Sequence, residues 1–392
     1  MIRSNSAASA SWDSSIQQTY TTPVIGLKRG RGLVVEDFDG KKYLDLIGGI
    51  ATNLLGHAHP SIVKAITKQS KELSHISNLY AHEQGLKLAR RLIAMTGDKS
   101  ARVYFCNSGA EAIEAAIKLS RLTGKKHLVS AQGSFHGRTT GAISLTGQSG
   151  KRDQFKPLLP KVRYLKFGDF RDLKRKITKR TAMVFIEPIM GEAGVVVPPK
   201  GYLKAIRNRC DEVGALMAID CIQTGIGRTG DWFGYEAEGI KPDVITIAKG
   251  IGGGLPLGAM IAIGKCAKLF TPGSHGSTFG GNPISCAAAN KVLDEIESKK
   301  MLTSNVKKGD LLQSLVKAIP GVKEVRGRGL LIGIQVIAGR SKEIARELQV
   351  AGYLVNSAND DVIRLAPSYL ISEKQIKQFA SAFEKICVKI YA

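Results

Sequence analysis

This chain lacks long apolar runs, and it lacks any cysteine framework. Nothing in its 392 residues approaches the roughly 20 consecutive apolar positions that a membrane-spanning helix requires. Residues 1–15 (MIRSNSAASASWDSS) contain no apolar core of a secretory signal and read as a Ser/Ala tail, expected to be poorly ordered. The six cysteines, Cys106, Cys210, Cys221, Cys266, Cys286 and Cys387, form no CxxC pair and no regular spacing. That argues against a disulfide scaffold and for free thiols in a reducing cytoplasm. His57 and His59 form an HxH with no third ligand nearby, so they read as loop architecture and no metal is expected. Internal repeats and low-complexity linkers are absent as well.

Acidic residues are scarce, at 33 Asp and Glu against 57 Lys and Arg, which leaves a net charge of +24. Such a balance can signal a polyanionic partner. Here the surplus is spread along the chain, and its densest run, 171–180 (RDLKRKITKR), has no interleaved aromatics to stack on bases. A solvated helix face fits better than a specific nucleic-acid surface. Only weak, salt-sensitive polyanion binding is expected.

What is present is a stretch of 215–256 (ALMAIDCIQTGIGRTGDWFGYEAEGIKPDVITIAKGIGGGLP) around which the rest can be ordered. Two apolar runs, 215–219 and 244–248, have the length of buried parallel strands. The first ends on Asp220, the second on Lys249 followed by glycines. Ligands of open α/β sheets sit at the carboxyl ends of strands, so a carboxylate and an amine are predicted to enter one crevice. An aldehyde cofactor such as pyridoxal phosphate uses that pair: a lysine to hold it as a Schiff base and an acid to keep its ring nitrogen protonated. Two unremarkable strand ends facing solvent would also satisfy these residues taken alone.

The flanking regions add context. Residues 20–45 read as a small antiparallel meander, and 48–60 as an irregular loop. Helical periodicity marks 61–73 and 83–95. A strand at 103–106 leads to Asn107–Glu111 (NSGAE) and a helix over 111–122, whose N-terminus offers free N–H groups to a phosphate or simply carries an N-cap. The strand 126–130 precedes SFHGRT at 134–139, which puts an aromatic, a histidine and an arginine on one loop; the arginine suits a carboxylate. Further strands are expected at 181–186, ending on Glu187, and at 325–334, 352–355 and 362–365. Helices are expected at 202–213, 283–300, 342–351 and 373–391.

Taken in order, NSGAEA, FHGRT, EPIMGEAG, IDCIQTGIGRTG, ITIAKGIGGGLPLGA, HGSTFGGNP, VRGRGLLIG and VIRLAP resemble the class III pyridoxal-phosphate aminotransferases, and within them the bacterial branch that acts on N-acetylornithine. The likeness runs from about Tyr20 to the last helix. It implies an α/β protein of aminotransferase fold type I: a large domain with a mostly parallel seven-stranded sheet and a smaller α+β domain built from both chain termini. The expected division is 1–45 packing with the small domain, 46–282 as the cofactor-binding domain and 283–392 as the small domain.

The resemblance also implies roles. Lys249 matches the Schiff-base lysine and proton shuttle, Asp220 the partner of the pyridine nitrogen, and Gln223 the residue near the cofactor's phenolic oxygen. Ser108, Gly109 and Ala110 match the phosphate cup, and Phe135 the aromatic stacked on the cofactor ring. Thr278 matches a phosphate ligand donated by the other subunit of a homodimer with shared active sites, and Ser277 a substrate contact. Arg138 matches the arginine that takes a substrate carboxylate; Arg364 and Glu192 match a second arginine and its paired glutamate. Two departures stand out: Cys221 where the family usually has Glu, and Met190 where many members have Gln. Because strand neighbours alternate faces, Cys221 is expected to point away from the cofactor.

The activity implied is transfer of the δ-amino group of N-acetylornithine to 2-oxoglutarate with pyridoxal 5'-phosphate, in arginine biosynthesis in the cytoplasm. Alternatives are other ω-amino donors (ornithine, succinyl-diaminopimelate, 4-aminobutyrate, carrier-bound lysine) or, outside the class, a basic nucleic-acid-binding protein on a vestigial cofactor fold.

Overall fold

A seven-stranded sheet runs through the middle of the molecule, which the computed structural model describes over residues 2–392. Its strand order is Arg102–Cys106, Gly258–Ala262, Val244–Ile247, Leu216–Asp220, Thr181–Ile186, His127–Ala131 and Val162–Leu165. Only Gly258–Ala262 runs antiparallel to its neighbours; the other pairings are parallel. The inner strands are apolar without alternation because helices cover both faces. Every residue of Thr181–Ile186 and Leu216–Asp220 is buried.

Successive residues feed two different cores. Met217 and Ile219 join Val184 and Ile186 on one face, while Leu216 and Ala218 join Met183 and Phe185 on the other. The helix Gly109–Arg121 packs on that second face, over Gly258–Ala262 and Val244–Ile247. By the same period of two, Cys221 falls in with Ile219 and Asp220 with Ala218. Cys221 therefore does face away from Asp220's side, among Ile226, Phe233 and Tyr235 of the first core.

Two four-stranded sheets complete the fold. Leu27–Arg31, Val34–Asp37 and Lys42–Asp45 form the expected meander, and Tyr353–Leu354 adds to it in parallel, so an early and a late part of the chain share one sheet. Val322–Arg328, Leu331–Val336, Val362–Leu365 and Asn356–Asn359 form the other, all antiparallel.

Three local expectations change. The stretch 325–334 is not one strand but a hairpin turning at Gly329, whose positive φ of 56° glycine accepts without steric cost. The helix expected over 283–300 ends at Ser298, and a second, Met301–Val316, starts after Lys300 takes the left-handed conformation at φ 50°. The tail is not ragged: Ser4 caps a helix over Asn5–Ser15, accepting from the Ala7 N–H. Asn5 then ties the helix to the meander by donating to Asp37 at 2.9 Å and accepting from the Gly26 N–H. The basic run at 171–180 behaves as expected: Asp172, Leu173 and Ile177 are buried, while Arg171, Lys174 and Arg175 face solvent.

Candidate functional site

Five strands deliver polar residues to one place. Cys106 leads to Ser108, Ala131 to Phe135–Arg138, Ile186 to Glu187, and the two central strands to Asp220 and Lys249. These residues line a cavity of about 520 Å³, within the range of small-molecule sites.

At one end, Ser108 caps the helix Gly109–Arg121: its Oγ accepts from the Glu111 N–H at 3.2 Å. The Glu111 carboxylate turns back to accept from the Asn107 N–H at 2.5 Å. With those groups committed, the N–H groups of Gly109 and Ala110 have no acceptor among the described residues, and the positive end of the helix dipole faces the cavity. Gly109 has a steric reason to lack a side chain. A Cβ there would come within 2.7 Å of Ile222, which also lines the cavity. This is a cradle for a phosphate.

Asp220 closes the opposite wall. Its Oδ1 accepts from the Ile222 N–H, and its Oδ2 lies 2.7 Å from Nδ1 of His136. His136 is wholly enclosed, and its Nε2 meets Ser130 Oγ at 3.1 Å. Burial alone would push the imidazole down, but the hydrogen bond and charge of Asp220, with Glu187 nearby, hold it above its ordinary value. Asp220 is thus fixed by a second contact, from His136. Glu187 accepts from the Phe135 N–H at 3.0 Å. Burial first, then the Asp220 charge, lift its carboxyl to about 7, against the pull of His136 and Lys249.

Lys249 follows the strand Val244–Ile247 in a left-handed conformation, φ 50°, that non-glycine residues rarely adopt. The turn throws its amine back over the strand ends into the cavity. Burial holds that amine below the ordinary lysine value; Arg364 adds to the effect, while Glu192, Asp220 and Glu187 oppose it. A lowered pKa gives the neutral amine that nucleophilic and proton-transfer chemistry needs.

Beside the cavity lies a tight polar knot. Arg364, only 4% exposed, donates from Nη1 to Glu192 Oε1 at 2.5 Å and to Gln223 Oε1 at 3.1 Å, and from Nη2 to Asn356 at 2.8 Å. Gln223 Nε2 donates to the same Glu192 oxygen at 3.3 Å. Burial works to raise the Glu192 carboxyl, but Arg364 overrides it and holds it low. Glu192 and Gln223 reach the main cavity; Arg364 lines a small adjoining void with Gln223. Arg138 stands exposed at the cavity mouth with its guanidinium 5.6 Å from the centre of the Phe135 ring.

The sequence-predicted residues Ser108, Gly109, Ala110, Phe135, Arg138, Glu192, Asp220, Gln223 and Lys249 all border this cavity, and Arg364 adjoins it. Ser277 is one bond away, accepting from Asn107 Nδ2 at 3.1 Å. Thr278 does not line it; it lies exposed on the surface next to exposed Phe279. Residue-by-residue reading assigned no role to His136 and Glu187. Both had a legible signal: His136 sits inside FHGRT, and Glu187 ends an apolar strand just as Asp220 does. His57, by contrast, meets Asp45 at 2.9 Å.

These groups fit pyridoxal phosphate. The unpaired N–H groups of Gly109 and Ala110 suit its phosphate, Asp220 backed by His136 suits a protonated ring nitrogen, and Lys249 suits its aldehyde. The lysine and the acid face one cavity from adjoining strands.

Comparison with known proteins agrees. The pattern of the family Aminotransferase class-III matches residues 15–387. The chain is 50% identical over 378 residues to a protein of Mycobacterium tuberculosis named acetylornithine aminotransferase, covering 96% of this chain and 94% of that one. It superposes on the ornithine aminotransferase of Toxoplasma gondii with a TM-score of 0.94 at 27% identity, covering 99% and 96% of the two chains. On an acetylornithine aminotransferase of Elizabethkingia anophelis the TM-score is 0.88 at 30% identity, covering 99% and 100%.

Proposed function

The chain belongs to the class III aminotransferases, and from that premise we propose how its cavity works as an acetylornithine aminotransferase. The enzyme depends on pyridoxal 5'-phosphate and moves the δ-amino group of N-acetylornithine to 2-oxoglutarate, giving N-acetylglutamate semialdehyde and glutamate.

When bound, the cofactor supplies an aldehyde that takes up the amino group and a protonated ring that draws electrons from the reacting carbon. The N–H groups of Gly109 and Ala110 and the Ser108 turn hold the phosphate. Asp220, held in place by His136, would face the ring nitrogen and keep its proton there. Lys249 Nζ would hold the aldehyde and would move the proton at the substrate's amine-bearing carbon. Phe135 would cover the ring, and Gln223 would stand by its phenolic oxygen.

One observation carries the substrate reading: Arg138 stands free at the mouth while Arg364 is neutralised by Glu192. The pocket then offers one open carboxylate site and one concealed. N-acetylornithine, presenting its δ-amine, needs only Arg138 for its α-carboxylate. Glutamate, presenting its α-amine, needs Arg138 for the γ-carboxylate and Arg364 for the α-carboxylate. Ser277 would contact substrate from the side of Asn107.

The position of Thr278 supports a homodimer with shared sites. It lies exposed beside Phe279, Leu79 and Tyr80, three exposed large apolar side chains on segments joined by Asn78 bonding to Ser277 and Gly280. Covered by a second copy, this patch would carry Thr278 to the partner's phosphate cradle. A division at 45 and 282 is in keeping with the meander's pairing to Tyr353–Leu354. A cytoplasmic setting and a role in arginine biosynthesis fit six unpaired, buried thiols and the reaction itself. No helix among the described residues is long and apolar enough to cross a membrane.

The test is an amino-donor panel with 2-oxoglutarate as acceptor. N-acetylornithine should lead in kcat/KM over ornithine, succinyl-diaminopimelate and 4-aminobutyrate. A different leading donor replaces the substrate, and a colourless protein that binds no pyridoxal phosphate rejects the reading.

A further inference from the structure

Two cations share the ring of Phe135, which lines the pocket, and neither has a partner. Lys151 Nζ lies 5.2 Å from the centroid of Phe135 and Arg138 Cζ 5.6 Å from it. Lys151 comes from the short helix Ser149–Arg152, a separate element from the loop that carries Phe135 and Arg138. Among the described residues, neither side chain makes a hydrogen bond or an ion pair. The basic neighbours of Lys151 behave otherwise: Arg152 and Lys156 both pair with Asp153.

Nor is Lys151 a lysine dangling in solvent. It is partly buried. Burial first holds its ammonium below the ordinary lysine value, and Arg138 and Arg364 push the same way against Glu192 and Glu187. A half-desolvated ammonium without a counter-ion, beside a like charge, is unfavourable unless something negative joins it. Both groups sit over the Phe135 ring, and Phe135 and Arg138 line the cavity that takes the amino-acid substrates. An anion lodged against Phe135 would be met by a planar fork from Arg138 and a point charge from Lys151.

We propose that Lys151 is the second cation of the carboxylate site that Arg138 begins, gripping the amino donor's distal carboxylate between ammonium and guanidinium. The inference rests on the reading of the pocket as one for carboxylate-bearing ω-amino donors. It makes Lys151 a specificity-determining residue for both half-reactions, since the α-carboxylate of N-acetylornithine and the γ-carboxylate of glutamate both go there. In this it differs from Glu192, which separates the two donors.

The experiment compares Lys151→Met and Lys151→Arg with wild-type holoenzyme in two assays. In the first, titration calorimetry measures the Kd of glutarate, a dicarboxylate that cannot react. Lys151→Met should weaken binding about tenfold and Lys151→Arg less than threefold, since a charge-assisted contact is lost in one and kept in the other. In the second, kcat/KM is measured for N-acetylornithine and for N-acetylputrescine, the same amine without its carboxylate. The ratio between the two should fall about tenfold in Lys151→Met and recover in Lys151→Arg. An unchanged ratio with unchanged glutarate affinity overturns the proposal. So does an equal loss on both amines, which marks a merely structural lysine. If wild-type enzyme prefers another donor, the substrate reading fails, but glutarate binding still decides whether Lys151 grips a carboxylate.

Discussion

Glu192 Oε1 and Arg364 Nη1 meet at 2.5 Å with the guanidinium almost wholly buried, so the pocket holds a cation that its own carboxylate conceals. A buried charge stripped of its partner is costly, on the order of 3–5 kcal/mol. On the proposed reading, Arg364 becomes available to substrate when a second carboxylate displaces Glu192. That makes the pair a gate between a donor with one carboxylate near the reacting amine's far end and a donor with two.

Removing the gate should bias the enzyme. Glu192→Ala leaves Arg364 permanently without a carboxylate partner, which favours glutamate and penalises the methylene chain of N-acetylornithine. Single-turnover rates for the two donors should shift their ratio about tenfold or more toward glutamate, the factor that 1.4 kcal/mol gives. An equal loss on both, or a loss on glutamate alone, contradicts the gate.

Lys249→Ala should abolish turnover while the cradle still retains some cofactor. Proton transfer alone is worth on the order of 10²–10⁴-fold, and the lysine also holds the aldehyde. Stopped-flow assays at saturating donor check the rate, and equilibrium dialysis checks the retained pyridoxal phosphate. Turnover above a trace removes Lys249 from its assigned role.

Thr278→Ala should weaken pyridoxal-phosphate affinity by roughly tenfold or more, the worth of one charge-assisted hydrogen bond. Because Thr278 lies outside its own chain's cavity, the defect should be complementable. Mixing Thr278→Ala with Lys249→Ala subunits gives heterodimers with one site made entirely of intact parts. Recovered activity is the expected outcome, and none recovered means that Thr278 serves no neighbouring site.

Glu187 makes stability depend on pH. Its carboxyl is lifted from 4.5 in the open chain to about 7 in the fold, so ionisation opposes folding. Wild-type protein should lose stability from this residue as pH rises from about 4.5 through 7. Glu187→Gln has nothing to ionise. With His136, Asp220 and Lys249 common to both proteins, the difference between their urea midpoints should move in favour of the variant between pH 5 and pH 8. A difference that stays flat, or moves the other way, rules out a protonated Glu187.

Much of this site was written locally. A buried parallel strand is one unbroken apolar run, and the polar residue that ends it must emerge at the sheet's carboxyl edge. Asp220, Lys249 and Glu187 could be placed there from sequence because the strand's period leaves no other exit. Cys221 could be turned away from Asp220 by the same alternation. The Ser-Gly-Ala cradle was likewise a local matter of an N-cap and the orphan N–H groups behind it.

Tertiary structure decided the pairings. Nothing in the spacing brings His136 to Asp220 across 84 positions, Arg364 to Glu192 across 172, or Lys151 to the ring of Phe135. Those contacts depend on strand order and on how the last sheet seats against the cavity, and periodicity carries neither. The local misreadings have the same origin. The stretch 325–334 (VRGRGLLIGI) hid a hairpin, because among its glycines nothing local marks Gly329 as the one that turns. The opening segment forms a helix because Asn5 finds Asp37 and Gly26. The residue types a strand end or helix start can present follow from local geometry, whereas the charge each one meets is set by chain folded over it from far away.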